Sequence, residues 1–311
     1  MNIIEKHLKN IRKGYVVYTN MKKVAIIGLS GDSLFYELDH LPKEGETVHA
    51  ISLHKEIGGK GFNQAVACKR DGLDVYYLSA LGCDSVKKDC EEILKNEGIN
   101  FLLKEKNMPS ASASIIKAKN GENEVVVYGG ANSHLDLNDL EDFISYIEKC
   151  DAILLTYEIP YDVLKKAIEI AKKNNKMIII NPAPYIYDDI DILKDADIIS
   201  PNETEMMEIA KIKKIDDKKI LKFKNENNIK CIVLTLGSKG VKIFKESTTK
   251  IKAYKADAVD TTGAGDVFNG CMVSKILEGK NIYEACEYAA LQASKSVCKK
   301  YVLDAIPRRS E

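Results

Sequence analysis

Residues 257–270 read Asp-Ala-Val-Asp-Thr-Thr-Gly-Ala-Gly-Asp-Val-Phe-Asn-Gly, which sets an acidic side chain directly behind a glycine-rich turn. After Gly265 the apolar residues Val267, Phe268, Cys271, Met272, Ile276 and Leu277 recur at helical spacing and stop at Gly279, so the glycines open a helix. Backbone N–H groups at a helix N-terminus, backed by the positive end of the dipole, suit a phosphate or a developing oxyanion. Asp266 would repel such an anion unless it has a task beside it. The task that fits is accepting the proton of a hydroxyl as that hydroxyl attacks the phosphate. A tight strand-to-helix turn carrying an ordinary first-turn acid is the competing reading of this run taken alone.

A second run, Gly58-Gly-Lys-Gly-Phe-Asn-Gln-Ala65, also leads into a helical pattern. Its glycines let a backbone approach a small ligand, and Lys60 and Asn63 offer donors suited to hydroxyls. The competing reading is a flexible loop with Asn63 as a local cap. Other chemistries find no support. There is no G-x-x-x-x-G-K-[ST] loop, no G-x-S-x-G elbow, and the Gly263-Ala-Gly265 run lacks the third glycine of a dinucleotide fingerprint. All five histidines lie in the first half without metal-ligand spacing, and the eight cysteines include no C-x-x-C pair, which points to reduced thiols in a cytoplasm.

The elements that must position these residues alternate. Short apolar runs at Val24–Gly28, Asp74–Leu81, Ala152–Thr156, Met177–Asn181, Ala196–Ser200 and Cys231–Leu236 read as buried strands. Between them, residues 61–71, 85–97, 138–149, 161–175, 203–211, 216–228 and 281–299 read as amphipathic helices. Buried strands alternating with helices imply an α/β fold, a parallel sheet covered on both faces. Residues 33–57 and 110–130 break the pattern, and the alternation Ser112, Ser114, Ile116, then Val125 and Val127, predicts a separate small sheet placed as a lid over the carboxyl edge. Residues 1–20 are of different character, with a winged-helix fragment, an accessory helix and disorder all open; the main domain is expected over 21–311. Composition is that of a soluble globular protein: 45% hydrophobic, 30% charged, with 46 basic against 46 acidic residues, so neither nucleic acid nor a membrane is an expected partner.

The collinear series Gly28…Asp32, Leu41-Pro…Gly45-Glu-Thr47, Gly58-Gly-Lys-Gly…Asn63, Gly129-Gly-Ala-Asn132, Glu158, Asn181-Pro-Ala-Pro184, Asn202-Glu-Thr-Glu205, Thr235-Leu-Gly-Ser-Lys-Gly240 and Asp260-Thr-Thr-Gly-Ala-Gly-Asp266 resembles the ribokinase-like (PfkB) family of carbohydrate kinases over about residues 21–307. The resemblance implies a three-layer fold with a mostly parallel central sheet and a small β-sheet lid. It implies ATP- and Mg²⁺-dependent phosphorylation of a primary hydroxyl of a small sugar, with Asp266 as base and Gly263, Ala264 and Gly265 as anion hole. It further implies that Asn202, Thr235, Gly237, Ser238, Lys239 and Gly240 receive ATP, that Glu205 holds magnesium through water, and that Asp32, Gly59, Lys60, Asn63 and Glu158 bind the sugar.

A monovalent-cation site, potassium in the family, would begin at Asp260 and Thr262, but Tyr301 stands where glycine is expected and Ala305 where serine is expected. The Asn-x-Asp pair expected after the first strand is here Ser30-Gly-Asp-Ser33, and a small residue of the sugar loop has become Phe62. If Phe62 points into the site, it walls the pocket towards a larger sugar or a nucleobase. A nucleoside kinase of the same family is therefore the alternative substrate class, and a sugar-binding regulator without turnover the alternative from another class. The resemblance further implies lids that pair between subunits, which makes a homodimer the expected assembly.

Overall fold

The computed structural model describes residues 21–309, so the expectations for residues 1–20 lie outside the described residues. The central sheet takes nine strands: β1 (Lys23–Ile27), β4 (Asp74–Gly82), β5 (Asn100–Lys106), β8 (Ala152–Thr156), β9 (Met177–Asn181), β10 (Ile198–Ile199), β11 (Ile232–Thr235), β12 (Val241–Phe244) and β13 (Thr248–Ile251). Their spatial order is β13-β12-β11-β10-β9-β8-β1-β4-β5, and all run parallel except β12, which pairs antiparallel with both β11 and β13. All six strands expected from apolar runs are present. β5, β12 and β13 are additional: β5 carries Lys104, Glu105 and Lys106 on the sheet edge, and its sequence therefore lacks a buried run.

Alternate residues of each core strand enter separate cores. Val24 and Ile26 pack with the helices α1 (Lys60–Arg70), α9 (Ala264–Leu277) and α10 (Ile282–Ser296) on one face. Ala25 and Ile27 pack with α3 (Leu137–Glu141), α4 (Ile144–Lys149), α5 (Tyr161–Lys173), α7 (Glu203–Ile209) and α8 (Asp217–Glu226) on the other. Two further helices, α2 (Ser85–Glu97) and α6 (Ile190–Lys194), complete the layers. The segment 138–149, expected as one helix, is two short ones, α3 and α4, broken at Asp142 and Phe143. Phe143, fully buried, turns inward there, and Asp136 caps α3 through a reciprocal pair with Asp139.

A second sheet, in order β3-β2-β6-β7, is built from β2 (Gly31–Leu38), β3 (Ser52–Gly58), β6 (Ala111–Ala118) and β7 (Asn123–Tyr128). Phe35 and Ile115 lie buried side by side on its inner face, and Ile57, placed by register on the other face with Asp32, is buried too, whereas every residue of β7 is exposed.

The sheet order fixes where a ligand site can form. From β1 the chain runs outward to β4 and β5, then returns to the other side of β1 with β8 and runs outward again to β9, β10 and β11. The gap beyond the carboxyl ends of β1 and β8 is therefore the topological switch point, the place where open α/β sheets bind ligands.

Candidate active site

At that switch point β1 ends in Gly28, and α1 begins within van der Waals contact of it. A Cβ on Gly28 would lie 2.5 Å from the Gly61 Cα, and one on Gly61 would lie 2.4 Å from the Gly28 Cα, so both positions exclude a side chain. Gly59, with φ 110°, turns the chain into the helix against the Leu29 carbonyl. This crossing aims the first turns of α1 at the cleft: Lys60, Asn63 and Gln64 share one helical face at i, i+3 and i+4.

Opposite stands α9, entered through Gly263 in the left-handed conformation at φ 74°. A Cβ there would meet Val302 at 2.4 Å, whereas one on Gly265 would meet nothing within 4 Å, so the Gly265 backbone borders open cleft. Gly270, one turn beyond Asp266, allows the two helices to close: a Cβ on it would lie 2.5 Å from the Ala67 Cβ. The consequence is a pair of direct bonds to Asp266, which is only 6% exposed. Asn63 Nδ2 donates to Asp266 Oδ2 at 3.0 Å, and Gln64 Nε2 donates to Asp266 Oδ1 at 3.0 Å. Burial pushes the Asp266 carboxyl above its usual range, against the opposing pull of the Lys60 ammonium and these two amides.

Gln64 Nε2 also donates to Asn181 Oδ1 at 3.0 Å, Asn181 Nδ2 donates to the Ser200 carbonyl at 2.8 Å, and Ser200 Oγ donates to Asn269 Oδ1 at 2.6 Å. This buried chain runs across the ends of β9 and β10 and fixes the Gln64 amide, one of the two that hold the Asp266 carboxylate, from behind. Of its members, Gln64, Ser200 and Asn269 carried no assignment from the sequence, and Asn181 entered only as part of a motif. The signal that would have found Gln64 is its place on the same helical face as Lys60 and Asn63.

Lys60 is the cation of the cleft. Burial alone would lower its pKa, but Asp266, Glu158 and Glu205 surround it and raise it, so the ammonium stays charged. Glu158, just past β8, accepts from the backbone N–H of Lys60 at 2.9 Å and of Gly61 at 3.4 Å. Burial pushes its carboxyl up to about 7, with the Asp266 carboxylate adding and Lys60 opposing. Asn202 and Glu205 form a reciprocal cap on α7: Asn202 Oδ1 accepts from the Glu205 N–H at 2.9 Å, and Glu205 Oε2 accepts from the Asn202 N–H at 2.8 Å.

One cleft of about 100 Å³ is lined by Lys60, Asn202, Glu205, Thr235, Gly263, Gly265 and Asp266, together with Asn181, Ala183, Ser200 and Asn269. Thr235 ends β11 beside Asn202, and the turn Gly237–Lys239, closed by Gly240 at φ 95°, follows it with Ser238 and Lys239 exposed. A larger hollow at the opposite ends of the strands, near Lys176, Asp197 and Lys230, contains none of these residues.

Of the expected residues, Gly59, Asn63, Glu158, Ala264 and the Gly237–Gly240 turn flank the lining without entering it, and Asp32, Asp260 and Thr262 also lie outside it. Asp32 sits on β2 opposite Ile57, with one oxygen paired to Lys55 at 2.9 Å and Oδ1 buried without a partner. Asp260 and Thr262 bond to each other just before the Gly263–Gly265 turn. Phe62 corrects an expectation: it is fully buried in the core with Val66, Phe35 and Ile57 and presents no wall to the open cleft. On a helix whose polar face is Lys60, Asn63 and Gln64, position 62 points the other way.

The pfkB family of carbohydrate kinases matches residues 21–309. The ribokinase of Haemophilus influenzae is 33% identical over 296 residues, which cover 93% of this chain and 97% of that one. Among solved structures, ribokinase from Giardia lamblia superposes with a TM-score of 0.87 at 28% identity, covering 93% of this chain and 98% of its own. Ribokinase from Arabidopsis thaliana, complexed with ribose and ATP, superposes at 0.83 with 27% identity over 93% and 97% of the two chains. With a motif series that spans the whole described chain and a cleft at the sheet's switch point, these matches have one meaning: the chain belongs to the pfkB family of carbohydrate kinases.

Proposed function

We propose that this carbohydrate kinase transfers the γ-phosphoryl group of ATP to the primary hydroxyl of a pentose, with Asp266 as the general base. The observation that carries the assignment is the buried Asp266 carboxylate, held by Asn63 and Gln64 at the mouth of the α9 N-terminus. In the proposed step the hydroxyl proton passes to an Asp266 oxygen while the hydroxyl oxygen bonds to the γ-phosphorus and ADP departs. The backbone of Gly263, Ala264 and Gly265 meets the charge that spreads over the phosphoryl oxygens, and the Lys60 ammonium neutralises it from the other side.

Buried atoms without partners support the substrate class. Asp32 Oδ1, Asn63 Oδ1 and Thr156 Oγ lack hydrogen bonds, and a sugar presents hydroxyls that can satisfy such groups. Glu158 and the Gly59–Lys60 turn complete the sugar-binding set. Thr235 and the Gly237–Gly240 turn, with Ser238 and Lys239, take the nucleotide alongside Asn202. Among the described residues no group of three or more His, Cys, Asp or Glu could cage a metal. Glu205 and Asn202 do offer hard oxygen donors, which fits a Mg²⁺ ion brought with ATP and held through water. When bound, the ion supplies charge neutralisation on the phosphates. With Phe62 in the core, the nucleoside reading loses the residue that favoured it.

ADP release measured over ribose, 2-deoxyribose, fructose and two nucleosides tests the proposal. The expected outcome is highest kcat/KM on a pentose; a nucleoside as best substrate contradicts it, and sugar binding without ADP release identifies a sensor. No helix among the described residues is long and apolar enough to cross a membrane, and a cytoplasmic location is the reading consistent with ATP as substrate.

A further inference from the structure

The family resemblance implies a diffusible monovalent cation at Asp260, and the residues around Asp260 do not fit one. Its carboxylate, 9% exposed, is fully engaged. Oδ1 accepts from the Thr262 N–H at 3.0 Å and from Thr262 Oγ at 2.7 Å. Oδ2 accepts from the Tyr301 N–H at 3.2 Å and from Lys117 Nζ at 2.5 Å. The same ammonium lies 3.3 Å from Thr262 Oγ and 5.1 Å from the centroid of the Phe35 ring. A unit positive charge therefore already occupies the carboxylate that would anchor the ion.

The far side of the site is altered in the same sense. Tyr301 stands where the family pattern expects glycine and holds a left-handed backbone at φ 65°. Its ring stacks on His54 at 3.6 Å and meets Phe35 edge-on at 5.4 Å, which fixes the loop against the small sheet. Ala305 brings no side-chain oxygen where serine is expected, and the Val297 carbonyl is taken by the N–H groups of Val259 and Asp260.

We propose that the Lys117 ammonium is a built-in cation that replaces the diffusible monovalent ion, so that this enzyme turns over without potassium and strand β6 of the small sheet positions the Asp260–Thr262 turn beneath the anion hole. A lysine ammonium is a compact point charge on a flexible stem, able to stand in for a small cation without reshaping the carboxylate it meets. Lys117 touches no reacting atom; it is a positioning residue, and its place on the small sheet couples that sheet to the turn leading into Gly263. The proposal rests on the kinase reading above.

The test compares wild type with Lys117→Met, and with Lys117→Gln should the first not fold, in tetramethylammonium buffer at constant ionic strength, with or without added KCl or NH₄Cl. Wild-type kcat should change less than about twofold with either salt, while Lys117→Met should fall by about tenfold or more and regain at least half of the loss when ammonium or potassium is added. Without any substrate, added potassium should raise the Tm of Lys117→Met and leave that of the wild type unchanged. Strong potassium activation of the wild type overturns the proposal, as does a variant that is fully active without cation or that no cation restores. A wild type silent on every sugar in every salt sinks the kinase reading instead, and the Tm pair then still decides the role of Lys117.

Discussion

Glu158 carries a proton question that the geometry answers with a sign. Burial favours its neutral carboxyl in the folded protein and lifts the pKa from 4.5 to about 7. A raised carboxyl contributes stability that is fully present below the unfolded value and is lost as pH rises through the folded value. Between about pH 4.5 and 7 the ligand-free protein should therefore lose stability on the order of 3 kcal/mol from this group. Thermal unfolding of wild type and Glu158→Gln across pH 5–8 reads it: the wild-type advantage over the variant should shrink as pH rises, and parallel curves contradict the account.

At this scale the sequence carried much of the site. Lys60, Asn63 and Asp266 could be named before any coordinates because glycines and helix signals betray a backbone shaped around a ligand, whereas Glu158, Asn202 and Glu205 were named only through the family resemblance. What it could not carry was pairing across long separations: the Gln64–Asp266 and Lys117–Asp260 bonds join residues 202 and 143 positions apart. Phe62 failed for a related reason, since a helical face shows its orientation only once its partner helix is placed.

At the scale of elements, the small sheet is the part whose motion matters. β2 and β6 pair in parallel from Gly31↔Ala111 to Leu38↔Ala118, and β2 and β3 lead straight into the Gly58–Gly61 turn. A separate small sheet was expected from these two segments, on the break in the pattern and the period-two alternation within 110–130; what no local pattern encodes is the parallel β2–β6 register that joins them. Its inner residues contact the sugar loop and the C-terminal loop, where Glu56 accepts from the N–H groups of Val302 at 2.9 Å and Leu303 at 3.3 Å. We propose that this sheet is a lid that closes on substrate, and such a lid should be drawn from the low-stability end of the molecule. Amide exchange in residues 31–58 and 111–128 should slow when a pentose and an unreactive ATP analogue are bound. Unchanged exchange at saturation would remove the gating role.

For the whole molecule, the nine-stranded sheet and its two helix layers bury their apolar surface without help from a partner. The small sheet does not: Leu53, Val125, Val126, Val127 and Tyr128 are all more than half exposed, and β7 is an edge strand with one pairing partner. Such an edge is a template for pairing with another chain unless it is covered. A homodimer joined through the small sheets is the assembly this surface supports. Light scattering should give twice the chain mass, and Val126→Lys should shift it towards the monomer; a wild-type monomer at working concentration would contradict the assembly.

The account as a whole turns on Asp266, and kcat for ADP release on a pentose, compared between wild type and Asp266→Asn, tests it most directly. The asparagine keeps the size of the side chain but cannot take a proton, so kcat should drop by at least about 10²-fold while the affinity for ATP changes little. A variant that phosphorylates the sugar at close to the wild-type rate would contradict the assignment of the base, and with it the chemistry argued for the cleft.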